Sequence, residues 1–294
     1  MAGRFAPSPT SDLHLGNLRT ALVAWLLARG SGRAFRLRIE DLDTTRVAAA
    51  GDVARRQLAD IAALGLDTDG EVVWQSRRLD AYATAVAGLE TYPCYCTRRE
   101  IAEAASAPHG DGHRPYPGTC LRLSASRRAE LTATRRPALR VRAGGASWTV
   151  HDLWAGEVTG VVDDFVLVRN DGVPAYNLAV VVDDLAMGVD QVCRGDDLLS
   201  SSPRQAWLAA RLGGEPPAYA HVPLAVNSAG RRLAKRDGAV TMADLAARGV
   251  TAGQVLSRLA ASLGLAAPDE PVTPAELLRR FDPAALPREP WVVA

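Results

Sequence analysis

The stretch from Arg4 to Thr20, RFAPSPTSDLHLGNLRT, constrains the fold more than any other part of this chain. Its two prolines, Pro7 and Pro9, enforce an extended turn, and apolar residues then recur at helical spacing from Leu18 to Leu26. The pattern predicts a short strand, a tight turn and a helix. A helix start presents unpaired backbone N–H groups and the positive end of the helix dipole, so it favours an anion such as phosphate.

The predicted helix start contains the sequence His14-Leu15-Gly16-Asn17. Gly16 has no side chain to block a flat ring or a phosphate, and His14 can donate a hydrogen bond to phosphate oxygens. Alone, such a short string also fits an ordinary polar turn.

The longer string RFAPSPTxxLHLGNLRTAL resembles the opening of the glutamyl-tRNA synthetases, which are class I enzymes. The resemblance implies that His14, Gly16 and Asn17 bind ATP and take part in catalysis. It also implies that residues before this signature bind the glutamate substrate, namely Arg4, Ala6 and Ser8. The family usually has Gly at the position of Ser11, so this departure falls in the turn before His14.

A second predicted strand, AFRLRIED, alternates apolar and charged residues and ends in acid. Asp41, Asp43 and Arg46 follow at its carboxyl end, where open α/β sheets place their ligands, although a solvated acidic turn fits as well. The motif RIEDxDxxR also resembles the same synthetases. That resemblance implies that Glu40 contacts the ammonium group of the glutamate substrate, the expected partner of a carboxylate.

Three of the four cysteines lie close together in the chain, at Cys94, Cys96 and Cys120. This spacing fits a reduced compartment and a metal site better than a disulfide framework, and a fourth ligand could come from Tyr116, His113 or His109. The segment resembles the zinc-binding insertion of the short glutamyl-Q tRNA(Asp) synthetases. The resemblance implies one structural zinc per chain, held by Cys94, Cys96, Tyr116 and Cys120.

The order of predicted strands and helices indicates a parallel sheet with right-handed crossovers. We expect an α/β fold with a doubly wound, Rossmann-like parallel sheet, a zinc-bearing insertion and a small C-terminal helical region. The first half of the nucleotide-binding domain would span 1–93, the insertion 94–162, the second half 163–238 and the helical region 239–294. In the second half, FVLV and LAVVV are predicted to be strands or core segments, with a hairpin turn at 170–172 between them.

Further residues gain a role only from the resemblance. It implies that Tyr176 and Arg194 bind glutamate, and a guanidinium is suited to grip the side-chain carboxylate as a two-pronged fork. The string RRLAKR resembles the second class I signature, with Arg232 in place of a Lys and Ala234 in place of a Ser. The resemblance implies that this loop binds ATP through Arg232, Lys235 and Arg236, with Lys235 stabilising the departing pyrophosphate.

The charge of the whole chain is nearly balanced, with 34 basic and 33 acidic residues and a formal net charge of +1. No global field attracts it to nucleic acid, so an RNA-binding surface must be local. Four arginines in the insertion could form such a phosphate patch or an ordinary solvated face: Arg127, Arg128, Arg135 and Arg136. We expect a cytoplasmic chain, with no membrane span and no secretory leader, and a monomer.

The resemblance covers nearly the whole chain and implies an enzyme. It would activate L-glutamate with ATP and Mg2+ and pass the glutamyl group to queuosine in tRNA(Asp), since the length leaves no room for the anticodon-binding domain of the longer synthetases. One alternative is the charging of a tRNA 3′ end, and another is a non-catalytic zinc module that binds RNA.

Overall fold

A computed structural model describes residues 1–97, 99–101, 115–233 and 240–293 of the chain. Its strands are β1 (Ala2–Phe5), β2 (Ala34–Ile39), β3 (Val73–Trp74), β4 (Thr91–Cys94), β5 (Ala138–Val141), β6 (Ala146–Asp152), β7 (Gly156–Val162), β8 (Val166–Val168), β9 (Val189–Gly195), β10 (Ala218–Val222), β11 (Ala225–Val226) and β12 (Trp291–Val292). Its helices are α1 (Leu15–Gly30), α2 (Thr44–Ala50), α3 (Val53–Ala63), α4 (Leu79–Ala87), α5 (Ala125–Thr134), α6 (Tyr176–Ala186), α7 (Ser202–Arg211), α8 (Met242–Ala246), α9 (Ala252–Ser262) and α10 (Pro274–Arg280).

The main sheet has the strand order β3-β2-β1-β9-β10-β6-β7 across the described residues. Every neighbouring pair is parallel except β6 and β7, which form an antiparallel hairpin at one edge. The chain moves outward from β1 to β2 and β3 on one side, and from β9 to β10 on the other. This reversal makes the carboxyl ends of β1 and β9 the switch point where doubly wound sheets bind ligands. The predicted fold class is confirmed.

Helix α1 is the central helix of the larger hydrophobic core, and nearly all of its residues from Leu15 to Ala28 are buried. It packs on β1, β2 and β9 on one side and against α9 and α10 on another. A helix covered on several sides needs apolar residues around its circumference, as the sequence LVAWLLA provides. The predicted strand, turn and helix at the start of the chain are confirmed.

A second, smaller sheet has the strand order β4-β5-β8 and is antiparallel. Strands β6 and β7 belong to the main sheet, although their residues lie within the insertion that the sequence predicted over 94–162. Strand β8, predicted to lie in the second half of the nucleotide-binding domain, pairs with the small sheet instead. The two sheets therefore interleave along the chain and do not follow its linear order.

The run LAVVV forms part of α6, so the prediction of a buried core segment is correct and the alternative of a strand is wrong. The predicted hairpin turn does form at 170–172, where the Gly172 N–H donates to the Arg169 carbonyl. Its short arms pair through hydrogen bonds from the Arg169 N–H to the Val173 carbonyl and from the Ala175 N–H to the Leu167 carbonyl, after which the chain enters α6. Val180 and Val181 are buried within the helix. Periodicity cannot separate a short buried strand from a buried helix, and tertiary packing here outweighs the strand preference of Val.

Capping boxes begin the three helices described in the C-terminal region, the first with Thr241 and Asp244 at the start of α8. Thr251 caps α9 with Gln254, and Thr273 caps α10 with Glu276 and Pro274 between them. Within the described ranges of the chain, no helix is both long and apolar enough to cross a membrane.

Candidate active site

A cavity of about 540 Å³ lies at the carboxyl ends of β1, β2 and β9, over the switch point of the sheet. Most of the site residues predicted from the sequence line it. These residues are Arg4, Ala6, Ser8, His14, Gly16, Asn17, Glu40, Tyr176, Arg194 and Arg232. Lys235 and Arg236, together with Ala234, lie outside the described residues.

His14 caps the amino end of α1 and faces the cavity. Its Nδ1 accepts hydrogen bonds from the backbone N–H groups of Gly16 at 3.1 Å and Asn17 at 3.3 Å, and the Asn17 side chain accepts from the His14 N–H. Burial, with a smaller effect from Arg232, lowers the pKa of His14 from 6.5 to about 4. The ring is therefore neutral at pH 7 with its proton on Nε2, which is left to donate to a ligand.

Gly16 stands where no side chain fits. A Cβ there would lie 2.9 Å from the Cβ of Ala225 and 3.0 Å from Cε1 of His14. The close packing of the helix start against β11 thus requires glycine at this position. The first N–H groups of α1 are already paired, because Leu15 donates to the Val240 carbonyl and both Gly16 and Asn17 donate to His14 Nδ1.

Four charged side chains form a network under the other side of the cavity. Arg4 Nε donates to Asp184 at 3.2 Å, and its Nη1 donates to the Cys193 carbonyl at 3.1 Å. Arg38 donates to Asp184 at 2.5 Å and to Glu40 Oε1 at 3.1 Å. Burial would raise the pKa of Asp184, but Arg38 and Arg4 outweigh it and hold that pKa below its ordinary value. Glu40 Oε2 has no partner among the described residues and is available to a ligand cation.

Arg194, near the end of β9, is only 6% exposed. Its Nε donates to His221 Nε2 at 3.0 Å and its Nη1 to Gln205 Oε1 at 2.7 Å, while Nη2 donates to Ser202 Oγ at 2.9 Å and to the Leu198 carbonyl at 3.2 Å. All four acceptors are uncharged, and no described carboxylate pairs with this guanidinium. One Nη1 hydrogen remains, so a two-pronged grip on a carboxylate requires the release of one Nη2 partner.

A buried glutamine side chain fixes the turn that carries Ala6 and Ser8. Gln57, on α3 and almost fully buried, donates to the backbone carbonyls of Ser8 at 3.1 Å and Ser11 at 2.7 Å. The main chain of this turn, including that of Ser11, is therefore fixed by a buried side chain.

Tyr176 begins α6, lines the cavity and is 41% exposed.

Arg232 forms an ion pair with Asp197 at the rim of the cavity. Its side chain is 57% exposed, unlike those of Arg4 and Arg194. Asp197 belongs to a short 3-10 helix, Asp196–Ser201, that follows β9. Arg232 is thus the described part of the second signature that reaches the cavity.

The acidic loop after Glu40 has structural partners. Asp41 accepts from the N–H and the hydroxyl of Ser76, and Asp43 caps α2 by accepting from the Arg46 N–H. Neither carboxylate lines the cavity. Only Glu40, the first acid of the motif, reaches the candidate site.

A separate cluster brings together the sulfur atoms of Cys94, Cys96 and Cys120, all within 4.8 Å of one another. Three thiols at such distances, next to the small sheet, could hold a metal ion. The Tyr116 hydroxyl lies 3.5 Å from Cys94 Sγ and 3.8 Å from Cys96 Sγ. A tetrahedral zinc with bonds of about 2.3 Å to sulfur and about 2.0 Å to oxygen would separate such atoms by about 3.5 Å, so the donor set fits the ion.

Tyr116 is held in this orientation from two sides. Its hydroxyl oxygen accepts from the Cys120 N–H at 2.7 Å, and the Arg140 guanidinium lies 3.7 Å from the centre of its ring. The other two candidates for a fourth ligand, His109 and His113, lie outside the described residues.

Sequence reasoning missed the residues that support the cavity, chiefly Arg38, Asp184, Gln57 and His221. Strict alternation put Arg38 on the side of β2 away from the apolar residues, yet it is fully buried because helices cover both faces of the central strands. The adjacent pair Asp183-Asp184 within the apolar run of α6 was a usable signal, since buried carboxylates require buried cations.

Similarity to known proteins identifies the family of this chain. The family described as tRNA synthetases class I (E and Q), catalytic domain, matches residues 1–293. The chain is 60% identical over 297 residues to the glutamyl-Q tRNA(Asp) synthetase of Nocardia farcinica, covering 99% of this chain and 93% of that protein. It is 50% identical to the enzyme of the same name from Deinococcus radiodurans, covering 95% of each.

A solved structure shares the fold. The crystal structure of glutamate-tRNA synthetase from Elizabethkingia anophelis superposes with a TM-score of 0.82 and 25% sequence identity, over 99% of this chain and 67% of that one. The chain therefore belongs to the class I tRNA synthetases of the glutamyl and glutaminyl group and is a ligase of that family.

Proposed function

We propose that this chain activates L-glutamate with ATP and transfers the glutamyl group to queuosine in tRNA(Asp). The observation that carries the proposal is Arg194, a buried guanidinium that has only neutral partners and faces the same cavity as His14. A buried cation without a counter-ion favours an anionic ligand, and a carboxylate matches the guanidinium in charge and shape.

The glutamate would lie between the two charged ends of this side of the cavity. Arg194 would hold the side-chain carboxylate through its remaining Nη1 hydrogen, with Tyr176 beside it. Glu40 Oε2 would accept from the ammonium group, while Arg4, Ala6 and Ser8 would line the α-carboxylate. The opposite signs of Arg194 and Glu40 fix the direction of the amino acid and point its α-carboxylate toward α1.

Adenylation would take place where that carboxylate meets the phosphates of ATP. The α-carboxylate oxygen attacks the α-phosphorus, the bond to the bridging oxygen breaks, and pyrophosphate leaves with that electron pair. The His14 Nε2–H and the positive end of the α1 dipole would stabilise the developing phosphate charge, assisted by Arg232, Lys235 and Arg236. Mg2+ would enter with the ATP phosphates as part of the substrate.

Transfer to RNA would follow on the same site. A hydroxyl of the queuosine ring attacks the acyl carbon of glutamyl-adenylate, an ester forms, AMP leaves, and the hydroxyl proton passes to water. Queuosine as acceptor rests on the relatives that bear the name glutamyl-Q tRNA(Asp) synthetase. Unpaired loop bases can be stacked and hydrogen-bonded by protein, which suits an anticodon nucleotide. The exposed arginines of the α5 region would contact RNA phosphates.

The cluster beside the small sheet would hold one structural zinc ion through Cys94, Cys96, Cys120 and Tyr116. Four protein ligands leave no position for water, so the ion would fix the fold of the segment without taking part in the chemistry. The cluster joins β4 to the 3-10 helix Thr119–Arg122, which are 25 or so residues apart in the chain.

The acceptor is tested with labelled glutamate and tRNA(Asp) from which the 3′ adenosine has been removed, in queuosine-containing and unmodified forms. Label should enter only the queuosine form and map to its anticodon fragment. If label enters only tRNA that keeps its 3′ adenosine, the enzyme charges the tRNA 3′ end instead. A chain that does not exchange pyrophosphate into ATP with glutamate would not be an activating enzyme at all.

The zinc site is tested by elemental analysis of the purified chain. One zinc per chain is expected in the wild type, with a large loss in Tyr116→Phe, which removes the oxygen ligand but keeps the ring. Tyr95→Phe is the matched control, because Tyr95 lies in the same cluster and its hydroxyl bonds to Thr132 instead. Full zinc content in Tyr116→Phe would contradict the tyrosine ligand.

A further inference from the structure

Three polar residues connect neighbouring strands of the main sheet at its carboxyl edge. Asp152 ends β6, His221 lies near the end of β10, and Arg194 lies near the end of β9, directly opposite His221 in the register. His221 Nδ1 lies 2.6 Å from Asp152 Oδ2, and Arg194 Nε lies 3.0 Å from His221 Nε2. All three residues are almost fully buried. A continuous chain of hydrogen bonds therefore runs from Asp152 to the cavity.

The partners of His221 fix its tautomer. Arg194 Nε can only donate, so His221 Nε2 must accept, and the ring proton must lie on Nδ1, where it is donated to Asp152. Burial lowers the pKa of His221, with Arg194 acting in the same direction and Asp152 opposing both. The imidazole is neutral and presents a lone pair to the arginine.

A neutral acceptor at this place preserves the charge of Arg194. A carboxylate in direct contact would cancel that charge and compete with a ligand carboxylate, whereas an imidazole orients the guanidinium and leaves it cationic. The Asp152 carboxylate is separated from Arg194 by the imidazole of His221. It also accepts hydrogen bonds from three backbone N–H groups, those of Trp154, Ala155 and His221. The negative charge is thereby held away from the cavity.

We propose that His221 is a positioning residue for the substrate carboxylate, acting through Arg194, while Asp152 holds the other side of the imidazole. This inference rests on the proposed function, because it assumes that Arg194 binds the side-chain carboxylate of glutamate. It predicts that the hydrogen bond from Arg194 Nε to His221, and not the bond from His221 to Asp152, determines the affinity for glutamate.

Two substitutions separate these hydrogen bonds. In His221→Asn, the side-chain amide can replace the Nδ1–H and donate to Asp152, but it does not reach Arg194. In His221→Gln, the longer side chain can place its oxygen where Nε2 lies and accept from Arg194, while Asp152 keeps its three backbone donors. Pyrophosphate exchange is measured for both variants over a range of glutamate and of ATP concentrations, together with thermal unfolding.

We expect the KM for glutamate to rise about 10-fold to 100-fold in His221→Asn, because a hydrogen bond of a charged donor is lost, and to stay within about threefold in His221→Gln. The KM for ATP should be unchanged in both. Wild-type glutamate KM in His221→Asn would overturn the proposal, as would an equal rise in both variants, which would indicate packing alone.

Arg194→Ala, measured in parallel, separates this inference from the function on which it rests. If Arg194→Ala binds glutamate like the wild type, the proposed glutamate site itself is wrong. If Arg194→Ala weakens glutamate binding strongly while His221→Asn does not, the proposed glutamate site is supported and the positioning role of His221 is refuted.

Discussion

The two sides of the cavity hold their charges in different ways. On the side proposed to bind glutamate, the glutamate side, Arg4 and Arg194 are at most 6% exposed, and each is fixed by two or more hydrogen bonds to the protein. On the side proposed to bind ATP, the nucleotide side, His14 is held by the backbone of one helix start, and Arg232 has an exposed ion pair.

The difference matches the ligands proposed for the two sides. A small amino acid offers few atoms, so its recognition requires charges that are desolvated and oriented before it binds. A triphosphate carries enough charge to order exposed cationic side chains by itself. These side chains must also release pyrophosphate after the reaction, which exposed and loosely held side chains can do. We therefore expect substitutions on the glutamate side to act on ground-state binding, and substitutions on the nucleotide side to act on rate.

The largest effect is expected from Arg194→Ala. Loss of one partner of a buried, charge-assisted pair costs on the order of 2 to 5 kcal/mol, so the KM for glutamate in pyrophosphate exchange should rise by about 30-fold or more. Arg169→Ala is the matched control, because Arg169 is an arginine in an exposed ion pair with Asp171 outside the cavity. An effect of equal size on the KM for ATP would mean that the two sides are not separate.

His14→Asn should reduce rate without reducing stability. Asn is a good N-cap and keeps the start of α1, but it lacks the Nε2–H that would face the phosphate, so kcat should fall by about 10²-fold to 10³-fold. His14→Ala is the comparison, because it loses the cap as well and should lower the free energy of unfolding by about 1 kcal/mol. A near-normal kcat in His14→Asn would limit His14 to its capping role.

The pKa of His14 gives a second test of the nucleotide side. The pKa of His14 is about 4 in the folded chain, against 6.5 for an ordinary histidine. As the pH falls below about 6.5, His14 therefore becomes protonated in the unfolded chain but stays neutral in the folded chain, which favours unfolding. The stabilisation by His14 should thus be complete above that pH and decline toward pH 4. The melting temperature of the wild type should therefore fall relative to that of His14→Asn between pH 7 and 5. A parallel course of the two curves would contradict the lowered pKa.

The same contrast explains how far the sequence could predict the site. Most of the residues proposed to face the ligands stand in contiguous strings, such as the helix start at His14 and the acid Glu40 after β2, and local patterns with a family resemblance identify them. Tyr176 and Arg194 are isolated in the sequence and were identified by the resemblance alone. The supporting residues come from distant segments. Asp152 and His221 meet only because β6 returns to the main sheet beside β10, and that pairing has no local signal. Arg38 was misplaced for a related reason, since alternation cannot tell a strand buried on one face from one buried on both.

The smallest effect is expected from Asp197→Asn, which removes the partner of Arg232. An exposed ion pair contributes about 0 to 1 kcal/mol to stability, so the melting temperature should change by no more than about 4 °C. The KM for ATP should stay within about threefold, because two effects oppose each other. Without Asp197, no carboxylate competes with phosphate for Arg232, but the Arg232 side chain is also no longer held in place before ATP binds. Asp171→Asn, which breaks the exposed pair with Arg169, is the matched control. If Asp197→Asn instead changed the KM for ATP tenfold or more, Arg232 would be positioned before the nucleotide binds, and the nucleotide side would be as fully pre-formed as the glutamate side.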